Sequence, residues 1–112
     1  MRDNNEWQHR QRWKVTRSKD VDSKLAADFK AGLITTEDIV ILKRWTIKVE
    51  EEGPEALCKT EYWNDHPLDG EWKGCRSSSF SNRGRIIYRV IDDRVEVRVI
   101  RITPDHNYKK EG

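Results

Sequence analysis

The apolar residues of this chain change their spacing partway along, and that change limits the folds open to it. In the first half they recur every three or four residues: Val21, Leu25 and Phe29, then Ile39, Leu42, Trp45 and Val49. Such spacing puts them on one face of a helix. From residue 85 the pattern becomes strand-like. Arg85-Ile86-Ile87-Tyr88-Arg89-Val90-Ile91 is rich in β-branched residues, and after Asp92-Asp93 the valines 95, 97 and 99 alternate with Glu96 and Arg98. Alternation of this kind suits a pleated, half-buried surface. In 112 residues, helices followed by strands predict an α+β fold built on one core.

Punctuation sets the element boundaries. Trp13 and Val15 alternate with Lys14 and Thr16, a short strand that stops at Ser18. Ser18 is a natural N-cap for the first helix, and Gly32 a natural stop. Thr35 or Thr36 caps the second helix, with Glu37 and Asp38 complementing its dipole. Trp45, Ile47 and Val49 also alternate as a strand would, but no breaker interrupts 36–52 before Gly53-Pro54. Residues 54–71 read as a connection, Trp72 to Ser78 as a weak strand, and Ser79 to Asn82 as a turn. Ile100 and Ile102 fall on the parity opposite to Val95, Val97 and Val99, so this strand either carries a bulge or is covered on both faces. The expected architecture is an N-terminal strand and a two-helix hairpin packed on a small antiparallel β-sheet. Residues 1–11 are polar and aperiodic and read as an extension, leaving 12–112 as a single domain.

Charge is distributed unevenly. Residues 1–71 carry 12 Lys and Arg against 15 Asp and Glu, whereas residues 72–112 carry 10 against 5. The C-terminal part therefore has the footprint of a polyanion-binding surface or, more simply, of a salt-bridged sheet. Cys58 and Cys75 form no CxxC pair and no histidines cluster at ligand spacing, so no metal or other cofactor is expected. No apolar run approaches the ~20 residues of a membrane helix, and the N-terminus lacks a signal-peptide core. The expected location is the cytoplasm, with both thiols reduced.

Three segments resemble a known family. RIIYRVIDDRVEVRVIRI, Arg85 to Ile102, resembles the central hairpin of the RelE family of toxins. DHPLDGEWKGCR, Asp65 to Arg76, resembles the His-Pro-Leu-x-Gly-x-Trp-Lys-Gly run of the YafQ and YoeB branches, and DHNY, Asp105 to Tyr108, their C-terminal His/Tyr element. The resemblance spans roughly residues 13–108 and implies the toxin of a type II toxin–antitoxin module. It further implies an endoribonuclease that cuts mRNA on the ribosome without a metal, since the attacking 2′-OH belongs to the RNA.

On that resemblance Arg85 is the phosphate and transition-state clamp, a task suited to a guanidinium that stays charged. His106 becomes the general acid and Tyr108 an aromatic that stacks a base or supports the proton donor. His66 is a candidate base on a loop that could equally be structural, shaped by Pro67 and Gly70. Lys73, Arg76 and Arg83 are candidate phosphate contacts, and Trp72 reads as core. The chain departs from YafQ-like sequences in SSSFSNRGR, where Ser79, Arg83 and Gly84 stand in place of a second loop His and an Asp-Trp pair. That favours charge stabilisation over a histidine pair, with ribosomal positioning supplying much of the rest. Implied partners are a cognate antitoxin whose acidic segment folds on the toxin, the ribosome and mRNA. Operator DNA is implied only through the antitoxin complex, and no membrane. Two rivals share this pattern: a ParE-like toxin acting on DNA gyrase, and a non-catalytic RNA-binding module.

Overall fold

A computed structural model describes residues 12–105. The extension 1–11, His106 and Tyr108 lie outside the described residues. The order is β1 (Lys14–Arg17), α1 (Lys19–Lys30), α2 (Thr36–Glu52), β2 (His66–Pro67), β3 (Arg76–Ser79), β4 (Arg85–Ile91) and β5 (Glu96–Thr103), with short 3-10 turns in the connections.

The caps fall where the sequence puts them. The Ser18 hydroxyl accepts from the Val21 N–H, and Gly32 takes a positive φ of 81° just past the end of α1. Of the two threonines, Thr35 is the cap of α2. It forms a reciprocal pair with Asp38, each side chain accepting from the other's backbone N–H at 3.1 and 2.9 Å. Trp45 and Val49 are buried on the inner face of α2 while Ile47 is exposed, as a helix requires. The stripe of α1 is only partly used. Val21 and Leu25 pack on the core, but Phe29 is 46% exposed, and Asp28 is buried beside Lys24 at 2.8 Å instead.

The five strands lie in the order β1-β5-β4-β3-β2. β2 to β5 are antiparallel neighbours. β1 joins this antiparallel sheet as a parallel edge strand, pairing with β5 from Lys14↔Glu96 to Arg17↔Val99. Parallel strands need a long crossover, and here both helices and three strands intervene. A four-residue pattern carries no information on strand direction.

The parity conflict in β5 is a bulge. Tyr88 pairs with Val99 and Ile87 with Arg101, leaving Ile100 as the extra residue. Val97 and Val99 before it and Ile102 after it thus all reach the helix-covered core, together with Ile34, Leu42, Trp45, Val49, Leu57, Ile86 and Tyr88. The weak strand expected from residue 72 begins only at Arg76, because Gly70–Trp72 forms a 3-10 turn. Trp72 joins a second, smaller cluster with Leu68, Cys75 and Ile87. Between β4 and β5, Val95 takes the left-handed position (φ 51°, ψ 49°) that a glycine normally fills.

Candidate functional site

Successive strand residues point to opposite faces, so the sheet register assigns each side chain a side. Ile86, Tyr88, Val97, Val99 and Ile102 face the helices. Arg85, Ile87, Arg89, Arg98 and Arg101 therefore face away from them, as do Ser77 and His66, which pair in line with Ile87. This open face has a small apolar centre, Ile87 and Cys75 roofed by Leu68 and Trp72, with guanidinium groups around it. The Arg101 guanidinium lies over the Trp72 ring, 5.3 Å from its centroid, and Arg89 Nη2 is 3.7 Å from Cys75 Sγ. Arg89 and Arg98 are direct cross-strand partners, an opposition of like charges that costs stability and concentrates positive potential. Among the described residues of β3 to β5, Glu96 is the acid on this face. It accepts from Thr16 at 2.8 Å and Arg98 at 3.2 Å, and these hydrogen bonds hold its carboxyl below the usual carboxylate range.

Arg85 sits at the start of β4, opposite Ser79 and Thr103. Its Nη1 donates to the carbonyls of Gly84, Asn82 and Ser81 at 2.9 to 3.4 Å, closing the turn behind it. That turn depends on Gly84, where a Cβ would come within 2.4 Å of the Phe80 ring. Arg83 Nη2 meets the Asp105 carboxylate at 3.0 and 3.2 Å, and Thr103 Oγ1 donates to the Asp105 carbonyl at 2.7 Å. These contacts tie the end of β5 to the turn beside Arg85.

His66 lies on β2. Its Nδ1 is 2.8 Å from the Asn64 carbonyl oxygen. A carbonyl can only accept, so the proton sits on Nδ1 and Nε2 is the nitrogen able to take one. His66 and the following six residues, through Trp72, line a cleft of about 520 Å³, and exposed Lys73 ends the turn at its edge.

Arg76 is placed differently from Lys73, Arg83 and Arg85. It pairs with Tyr88 on the helix-facing side, and its Nε bonds the buried Asp65 Oδ1 at 2.8 Å. Asp65 also accepts from Ser78 Oγ at 2.6 Å and Tyr88 Oη at 2.5 Å, and Ser78 Oγ in turn accepts from Trp45 Nε1 at 3.0 Å. Burial, reinforced by the neighbouring carboxylate, pushes the Tyr88 phenol far above its ordinary value. Burial alone would lower the Arg76 pKa, but Asp65 outweighs it and raises it. Cys58, beside this cluster, has its thiol pushed up by burial and by Asp65. The guanidinium expected at a phosphate is thus committed to a buried carboxylate on the other face.

Arg89, Arg98 and Arg101 were not among the residues the sequence singled out. Their signal was the alternation itself, since each falls on the polar parity of β4 or β5, with the bulge carrying Arg101 onto that face. Among the described residues no three His, Cys, Asp or Glu side chains gather to hold a metal ion, and no helix is long and apolar enough to cross a membrane.

No family model matches the sequence, and no curated protein matches it significantly. Solved structures do match. YafQ from E. coli strain BL21(DE3) is 20% identical with a TM-score of 0.67, over 89% of this chain and 99% of YafQ. A metal-bound toxin from Helicobacter pylori is 20% identical with a TM-score of 0.67, over 86% and 97%. The heterotetrameric YoeB–YefM toxin–antitoxin complex from Staphylococcus aureus contains a chain 12% identical with a TM-score of 0.60, over 82% and 95%. Two helices on a five-stranded sheet, matched over 82% to 89% of this chain, give it the RelE-like fold of the YafQ and YoeB toxins.

Proposed function

We propose that this protein is the toxin of a type II toxin–antitoxin module and acts as a ribosome-dependent mRNA endonuclease. The observation that carries this reading is the helix-free sheet face, where Arg85, Arg89, Arg98 and Arg101 stand with His66. Guanidinium groups along two adjacent strands suit a phosphodiester backbone, and Trp72 under Arg101 offers an aromatic edge for a base. The RNA supplies the nucleophile, its own 2′-OH, which attacks the adjacent phosphorus. The bond to the 5′-oxygen of the next nucleotide breaks, leaving a 2′,3′-cyclic phosphate. Although SSSFSNRGR lacks the family's second loop histidine, His66 Nε2 on the open face can take the hydroxyl proton. Arg85 carries the larger share by stabilising the crowded phosphorane, and His106, supported by Tyr108, protonates the leaving oxygen. Lys73 and Arg83 steer the flanking backbone. Arg76 acts in the fold instead. The named YoeB–YefM pairing supports an antitoxin as partner, with an acidic segment folding over the cationic face and operator DNA met only in that complex.

The test is mRNA cleavage in a translation extract, with Arg85→Ala beside the wild type. Arg85→Ala should lower cleavage on the order of 10²- to 10³-fold while ribosome association persists. Cleavage and association lost together would favour a binding module. Double-strand DNA breaks with gyrase and intact mRNA would favour the ParE-like activity.

A further inference from the structure

We propose that Asp65 is a positioning residue for His66, holding the imidazole in the tautomer and place that let Nε2 act as the base. This rests on the nuclease reading above. Asp65 and His66 are consecutive yet serve opposite faces of the sheet. The Asp65 side chain is fully buried on the helix-facing side, with donors from β3 and β4, namely Arg76, Ser78 and Tyr88, and from the Cys58 thiol in the connection. Ser78 extends the network to Trp45 on α2. One residue later the chain enters β2, and His66 emerges on the open face opposite Ser77. One residue earlier, Asn64 is held in the left-handed conformation (φ 47°, ψ 44°), which asparagine tolerates better than most residues. That conformation turns its carbonyl to the His66 Nδ1.

Four donors on a buried carboxylate fix the peptide between the two residues far more firmly than a two-residue edge strand can alone. Neutralising the carboxylate leaves Arg76 without its counter-charge and removes an acceptor lone pair that Tyr88 or Ser78 needs. The 64–66 backbone then loosens, the carbonyl no longer faces Nδ1, and His66 samples both tautomers. A misplacement on the scale of an ångström is costly in a reaction that depends on alignment.

The experiment reads tautomer and turnover separately on the full-length protein. Long-range 15N–1H spectra above the imidazole's titration report which ring nitrogen carries the proton, with His66→Gln identifying the signal. Wild type should show protonated Nδ1. Asp65→Asn should show a mixture with protonated Nε2, with kcat for ribosome-bound mRNA down about tenfold to hundredfold and KM within about twofold. Should Asp65→Asn fail to fold, Tyr88→Phe removes a single donor and is read the same way, with a smaller shift. Folded variants that keep His66 wholly protonated on Nδ1 overturn the proposal. A shifted tautomer with unchanged cleavage also overturns it, because His66 is then not the base, although Arg85 chemistry survives. If wild type cleaves no RNA, the nuclease reading fails by itself, and the tautomer comparison still decides whether Asp65 orients His66.

Discussion

The two faces of this sheet are made by alternate residues of the same strands, yet they treat charge in opposite ways. On the helix-facing side, burial is nearly complete, and the Asp65 carboxylate accepts from Arg76, Ser78, Tyr88 and the Cys58 thiol. An unpaired buried charge would cost several kcal/mol, so its surroundings are over-determined. On the open side, Arg89 faces Arg98 across the ladder. Arg98 also bonds Glu96, yet among the described residues of β3 to β5 the guanidiniums of this face outnumber that one acid, an excess that suits an anionic partner. The lesson is that pairing marks what a fold needs, and an excess of one sign marks what it is for.

Four measurements can break or sharpen this contrast. The largest effect belongs to the covered face. Trp45→Ala should cost about 3–5 kcal/mol by urea unfolding, from lost packing against Tyr88 and the lost bond to Ser78. A loss below 1 kcal/mol would mean that the core is far more forgiving than its packing suggests.

Tyr88→Phe comes next, at about 1–3 kcal/mol at neutral pH. It also has a pH signature. The folded state raises the phenol's pKa above its ordinary 10.0, so its contribution is complete below that value and is lost as pH rises through and beyond it. The wild type should weaken on that alkaline limb while the Phe variant lacks this component. Parallel curves for the two would show that the phenol titrates normally.

The turn between β4 and β5 gives the third. Val95 is β-branched in the left-handed region, a cost of roughly 1–2 kcal/mol. Val95→Gly should therefore stabilise the protein by about 1 kcal/mol despite the added freedom of the unfolded chain, visible as a higher unfolding midpoint.

The smallest stability change belongs to the open face. Arg89→Ala with Arg98→Ala should alter stability by no more than ~0.5 kcal/mol. The same pair should flatten the log–log salt dependence of single-stranded RNA binding by about 1.4, roughly 0.7 for each lost phosphate contact. An unchanged slope would remove this pair from the RNA surface.

The sequence disclosed local features well and long-range ones poorly. The helix caps, the end of α2 at Gly53-Pro54 and the β4–β5 hairpin follow from neighbours within a few residues. Arg85 could be singled out as a candidate because its motif is contiguous. The pairing of Arg76 with Asp65 was not legible, because a strand flips sides with every residue and nothing in Trp72 to Ser78 says which parity faces the helices. Asp65 was read only as part of a motif, since its donors come from four positions up to 23 residues away. The β5 bulge was posed as an alternative and needed the partner strand to resolve it.

The parallel pairing of β1 with β5 also dictates when the protein can finish folding. Thr16 and Glu96 are 80 residues apart, so the first strand waits for its neighbour until nearly all of the described chain has been synthesised. Closing so long a loop is slow. During translation α1 and α2 have no sheet to rest on until β4 and β5 emerge, and the arginines of those strands join one surface only then. Any nascent fragment ending before β5 lacks both its hydrophobic support and its complete cationic face, a built-in delay before the chain can act.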